Sequence, residues 1–190
     1  MGRPRAIEER RLLSAAAEVL AKVGPSAFTL ERAALRAEVS AATYVKRFGS
    51  KKGLFLALNR EWVAAIGPGV EAAIRGRTGT DRLRAAAMWG VAGMDVPEHA
   101  ANLLAALALD LADADLQVLL DEGWTLLHTR LAAVAREVAA EVPNAPPAEE
   151  AARMMFALVE GNRIAWCVRP TGSLEERVRT QLDALLAAWR

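Results

Sequence analysis

The sequence predicts an all-α protein. A small N-terminal three-helix domain built on a helix-turn-helix is joined to a larger helical domain, with about nine helices in total. Three observations carry this. Apolar residues recur at helical spacing in almost every segment, and no segment alternates for long as a strand would. Ser or Thr stands at an N-cap position ahead of apolar runs at Thr29, Ser40, Ser50 and Ser173. Gly and Pro punctuate the ends of those runs, at Gly24-Pro25, at Gly49 and across Pro143 to Pro147. With 190 residues and a 53% apolar fraction, the chain can bury a substantial core.

The elements follow in order. "EERRLLSAAAEVLAKVG" sets Leu13, Ala16, Ala17 and Leu20 on one face and stops at Gly24-Pro25. Thr29 caps "LERAALRA", Ser40 caps "AATYVKRF" and Ser50 caps "KKGLFLALNREWVAAI". Gly67-Pro68-Gly69 then reads as a boundary. Thr80-Asp81 opens a further helix, and Pro97 opens the next. A long helix follows, with Leu116, Leu120, Trp124, Leu127, Leu131, Val134 and Val138 spaced by four or three. Beyond "PNAPP" lies a long apolar helix from Ala148. Ser173 and Glu176 form a capping box for the last helix, which turns Val178, Leu182, Leu185, Leu186 and Trp189 inward.

Composition narrows the function classes. Cys167 is the only cysteine, so no intrachain disulfide forms. It lies in an apolar helix and reads as buried and inert rather than as a redox sensor. His99 and His128 are too few and too far apart for a metal site, and no cofactor motif is present. No nucleophile motif or acid/base pair at motif spacing points to an enzyme. The N-terminus lacks the apolar run of a secretory signal, and no stretch approaches a membrane span. A cytoplasmic protein without membrane contact is expected.

Net charge is +1, but its distribution is uneven. Residues 1–65 hold 12 Lys+Arg against 6 Asp+Glu, and the remainder is net negative. A basic first third suggests an anion-facing module.

That module is legible. "TLERAALRAEVSAATYVKRF", Thr29 to Phe48, is a helix, a short turn and a second helix, the size and punctuation of a helix-turn-helix. Val39, Tyr44 and Phe48 pin the second helix inward. Ala41, Ala42, Thr43, Lys46 and Arg47 remain for the outer face. Small residues let a helix enter a major groove, and the basic pair meets phosphates or base edges. Ser50 and Lys51 open the next helix, whose amides favour a phosphate. Thr43 offers a methyl for thymine, and Arg47 offers a fork for guanine or a phosphate. Arg3 and Arg5 suit an arm in a narrow minor groove.

These residues resemble the TetR-family transcriptional regulators. The resemblance runs through Arg10, Leu13, Ala16, Ala17, Gly24, Thr29, Ala34, Ala37, Val39, Ser40, Thr43, Phe48, Ser50, Lys51 and Leu54, over about fifty residues. It departs at Glu38, where the family has a turn glycine, and at Ala33, where a larger apolar residue is usual. At Tyr44-Val45 the family has Leu-Tyr, so the tyrosine that normally touches a phosphate is replaced by Val45. The resemblance implies a DNA-binding domain over 1–50, a connecting helix over 51–66 and a ligand-binding, dimerising domain over 67–190. It implies a ligand-responsive regulator, a repressor released from a double-stranded operator by a small, apolar effector. DNA contacts fall at Thr29, Ser40, Ala41, Ala42, Thr43, Lys46, Arg47, Ser50 and Lys51. A helical homodimer that binds a small molecule or partner without DNA is the alternative, resting on Glu38 and Val45.

In such regulators the last two helices pair with their two-fold mates. Here that implies an interface through Met155, Leu158, Val159, Asn162, Trp166, Val178, Leu182, Leu185 and Trp189. Met88, Trp89, Met94, Trp124, His128, Met154, Met155 and Trp166 either line a ligand pocket or pack as plain core, since Met and Trp serve both ends.

Overall fold

The computed structural model describes residues 3–91 and 94–190, with side chains in the first helix from Glu8 onward. Among the described residues every regular element is helical. The helices are α1 (Arg3–Ala27), α2 (Leu30–Arg36), α3 (Ala41–Phe48), α4 (Lys51–Ile74), α5 (Gly79–Ala87), α6 (Pro97–Ala112), α7 (Ala114–Glu137), α8 (Ala148–Val168) and α9 (Leu174–Ala188). A 3₁₀ turn, Ala139–Glu141, follows α7. No described helix is long and apolar enough to cross a membrane.

Packing divides the chain into two compact units. One comprises residues 1–63 and 98–120, the other residues 64–97 and 121–190. Residues 98–120, which stand far along the chain, therefore pack with the N-terminal helices, a pairing no local pattern announces.

In the first unit the core is Leu12, Leu13, Ala15, Ala16, Phe28, Ala33, Ala34, Ala37, Tyr44, Leu54, Phe55 and Leu116. Small residues on α2 let it lie close on α1; Ala33, where a larger side chain was the norm for comparison, is wholly buried. Gly24 breaks α1 with φ 71°. A side chain there would also strike Asn102 on α6, whose amide donates to the Ala21 carbonyl at 2.8 Å. Gly24 thus satisfies a backbone angle and a close approach together.

No helix break falls at Gly67-Pro68-Gly69, although the division between the two units lies close by, after Val63. α4 runs unbroken to Ile74 with Pro68 inside it. Pro68 lies on the exposed side, where the carbonyl left without a partner can reach water. Gly69 is needed because a Cβ would collide with the Trp89 indole. The glycine marks a close approach rather than a chain break.

In the second unit α8 and α9 pack on each other and on α5. Met155, Val159, Trp166, Leu174, Val178, Leu182, Leu186 and Trp189 are buried there. Asn162, the one buried polar residue among those described, donates to the Leu158 carbonyl and to Gln181 at 2.8 Å each and accepts from Arg177 at 3.0 Å. Ser173 caps α9 by accepting from the Glu176 amide at 3.2 Å, and Asp95 accepts from the Leu174 amide at 2.8 Å.

One half-buried carboxyl gives a pH signature. Asp110 on α6 is half-buried beside Asn59, which donates to it at 3.4 Å. Burial, with Asp113 nearby, pushes its pKa up to about 6. The folded state thus holds the proton more tightly than the unfolded chain. Stability from this group is full below the ordinary carboxylate range and falls as pH rises through about 6. Asp110→Asn should therefore add about 1 kcal/mol at pH 7.5, after allowance for partial exposure, and almost nothing at pH 4. Urea denaturation at the two pH values measures this.

Candidate nucleic-acid interface

The helix-turn-helix is held together by its caps. Thr29 accepts from the Arg32 amide at 3.3 Å, and Ser40 accepts from the Thr43 amide at 3.3 Å. Ser50 accepts from the Gly53 amide at 3.0 Å. The hydroxyls of Thr29, Ser40 and Ser50 thus each close a helix end. Between α2 and α3, Glu38 adopts φ 56°. Its amide donates to Leu35 and the Val39 amide to Ala34, the two reversed bonds of a Schellman turn. That conformation favours glycine, so Glu38 costs about 1 kcal/mol relative to Gly.

Tyr44 sets the rotation of α3. It is fully buried, and its hydroxyl donates to the Leu12 carbonyl at 2.8 Å. Its ring lies 5.7 Å from that of Phe48. With Tyr44 turned in, Ala42, Val45, Lys46 and Arg47 are exposed and Thr43 is half-exposed. The Thr43 hydroxyl lies 3.0 Å from that of Ser40. Ala41, expected on the outer face, instead packs half-buried against the core. Val45, at 50% exposure, stands on the outer face one turn from Ala42. The sequence reading treated Val45 only as a missing tyrosine, yet its place three residues after Ala42 was a signal that it shares that face.

The basic groups are less free than their number suggests. Arg47 pairs with Glu9 of α1. Arg36 pairs with Glu18 at 2.5 Å, Arg10 with Glu61 at 3.3 Å, and Lys52 with Asp113 and Asp115 at 2.8 and 2.7 Å. Lys51 turns inward: its ammonium donates to the Pro25 and Phe28 carbonyls at 2.7 and 2.9 Å and lies over the Phe28 and Phe55 rings. Its side chain therefore ties α4 to the α1–α2 junction, although its backbone still opens α4. Lys46 has no ion pair among the described residues. Beside it runs a groove of about 510 Å³, lined by Thr43, Lys46 and Arg47 on α3 and by Glu8, Glu9 and Leu12 on α1. The side chains of Arg3 and Arg5 lie outside the described residues.

The other candidate residues separate into two groups. Met155 and Trp166 are core, and the Trp166 indole donates to the Gly172 carbonyl at 3.2 Å. Val159, Asn162, Val178, Leu182 and Trp189 are buried within the same chain, while Leu158 and Leu185 are half-buried. Met88, Trp89, Met94, Trp124 and His128 are half-buried. Of these, Trp124 and His128 come together, through Phe156, which the sequence reading missed. Burial and the charge of Arg153 hold the His128 pKa below its ordinary value. The Cys167 thiol, half-buried, is pushed up by burial.

A buried tyrosine, three capped helix starts and a short exposed helix with a basic end define a helix-turn-helix DNA-binding module. Residues 12–58 match the family described as bacterial regulatory proteins, tetR family. No curated protein matches the chain. Among solved structures, a regulator from Saccharomonospora viridis in complex with choline is 20% identical, covering 94% of each chain, with a TM-score of 0.79. A TetR-family regulator from Rhodococcus sp. is 19% identical, covering 96% of this chain and 98% of that one, with a TM-score of 0.76. Escherichia coli NemR in its reduced form is 15% identical, covering 92% and 95%, with a TM-score of 0.72. At these identities the likeness concerns the fold along nearly the whole chain. Residues 12–58 thus form an N-terminal DNA-binding domain of the tetR family of bacterial regulatory proteins, and over the rest of the chain the likeness is one of fold. The match spans Glu38 and Val45, so those departures do not remove it from the DNA-binding class.

Proposed function

We propose that the protein is a cytoplasmic repressor that binds a two-fold operator as a homodimer and leaves it when a small effector binds the second unit. The observation that carries this is the orientation of α3. Tyr44 locks it with Ala42, Thr43, Val45, Lys46 and Arg47 toward solvent, a small-residue edge flanked by positive charge. Thr43 and Val45 offer methyl groups for thymine, and Lys46 meets a phosphate. Arg47 exchanges Glu9 for DNA; an exposed pair of this kind is weak enough to be displaced. Thr29, Ser40 and Ser50 contribute chiefly by capping, and the amides that open α3 and α4 face the backbone. Base readout is sparse, so much of the specificity comes from DNA shape.

Dimerisation falls to the exposed side of α8 and α9. Met154, Ala157, Gly161, Ile164, Ala165 and Val168 form a continuous exposed stripe on α8, with Met154, Ile164 and Val168 at 42, 54 and 82% exposure. Ala184, Ala187 and Ala188 are exposed on α9. Small residues on such a stripe let helices approach closely. A C₂ dimer built on it presents two α3 helices to two half-sites. The domain that responds to ligand and dimerises corresponds to the second unit.

The two lysines test the DNA-binding face. After selection of a bound duplex from a random pool, Lys46→Ala should flatten the plot of log affinity against log salt by about one unit, with stability unchanged. Lys51→Ala should leave the slope nearly intact and lower stability by about 1–3 kcal/mol, because two carbonyls lose a charged donor. The reverse pattern would place the wrong face of α3 on DNA.

A further inference from the structure

We propose that Trp124, His128 and Phe156 form a binding site for an uncharged aromatic ligand carrying a hydroxyl, a phenol, whose O–H is donated to Nε2 of His128. As the identity of the effector, this rests on the repressor reading above.

Trp124 and His128 stand four residues apart on one face of α7, and Phe156 meets both from α8. The Trp124 and Phe156 rings are 5.2 Å apart at 65°, and the His128 and Phe156 rings are 4.7 Å apart at 76°. These edge-to-face contacts leave each ring partly uncovered, unlike the fully enclosed Met155 and Trp166 nearby in sequence. A half-covered aromatic cluster offers apolar surface to a flat ligand.

The polar requirement comes from one atom. His128 Nε2 is buried and has no hydrogen-bond partner, the single side-chain atom in that condition among the described residues. A buried polar atom with no partner is costly, and a ligand group that supplies one is favoured accordingly. The neutral tautomer with its proton on Nδ1 leaves Nε2 a lone pair. Burial first, and then the charge of Arg153, lower the imidazole pKa and so favour the neutral ring. The same Arg153 charge opposes a cationic ligand. Choline, which the Saccharomonospora viridis regulator holds, is therefore disfavoured here despite the aromatic rings.

Imidazole ¹⁵N resonances of the full-length dimer provide the test, since the chain has two histidines. Titration with 4-ethylphenol should move the His128 Nε2 resonance saturably. Affinity should be about tenfold weaker for 4-ethylanisole, which has the same ring and no donor, and for His128→Phe. His128→Gln, which keeps an acceptor, should bind better than His128→Phe and guards against loss of fold, checked by circular dichroism. A static His128 resonance, equal affinity for the phenol and the anisole, or tighter binding of choline overturns the site. Release of the selected duplex by 4-ethylphenol is measured separately. A normal His128 response with the duplex still held overturns the effector role alone.

Discussion

Tyr44→Ala is expected to cost about 3–5 kcal/mol of stability, the range for deleting a buried aromatic ring, and to abolish specific DNA binding. The ring is fully buried beneath α3, and it is the side chain through which the recognition helix reaches the α1 backbone. Without it the eight-residue helix keeps only the half-buried Ala41 and Phe48, with Val39 just ahead of it, to hold its rotation, and so short a helix has little stability of its own. Tyr44→Phe separates the two contributions. It keeps the packing and loses one buried hydrogen bond, for a cost of about 1 kcal/mol, and should retain DNA binding. Urea denaturation followed by helical signal, with duplex binding below the transition, measures both variants. Equal losses in the two would mean that the hydroxyl, and not the ring, governs α3.

Ile164→Glu is expected to produce monomers and to lower operator affinity by about a hundredfold or more, since linked half-site binding is lost. Ile164 lies at the middle of the exposed apolar stripe on α8, where it contributes little to its own protomer. A buried glutamate at a two-fold interface faces its own copy, so the charge is met twice. Sedimentation and duplex binding should change together while the melting of the protomer is maintained. An intact dimer in this variant would move the interface elsewhere. The obvious sequence-level choice, Leu182→Glu, would not answer the question: Leu182 is fully enclosed within its own chain, and a charge there unfolds the protomer.

That contrast shows where sequence reading stops. The all-α class, the caps at Thr29, Ser40, Ser50 and Ser173, the break at Gly24 and the long α7 were legible because each depends on residues within a few positions of one another. Tyr44 and Phe48, one turn apart, identified the inward face of α3 for the same reason, and Glu38 marked a left-handed turn by standing where glycine was expected. Periodicity, however, says only that a helix has an apolar face; it does not say whether that face meets its own chain or another copy. On α8 two apolar stripes lie side by side, and only packing against α5 and α9 decided that Met155, Val159 and Trp166 are core and that Met154, Ile164 and Val168 are surface. Charge counting failed in the same way. Lys51 and Arg47 were counted as free cations, but carbonyls of Pro25 and Phe28 and the carboxylate of Glu9, 23 to 38 residues away in the chain, take them up. Phe156 joined Trp124 and His128 by contact between α7 and α8 alone. What the sequence by itself determined were the local preferences of backbone and cap. The tertiary structure decided which of two apolar faces is buried and which charges are spent, because both depend on partners distant in sequence that only the folded chain brings within contact distance.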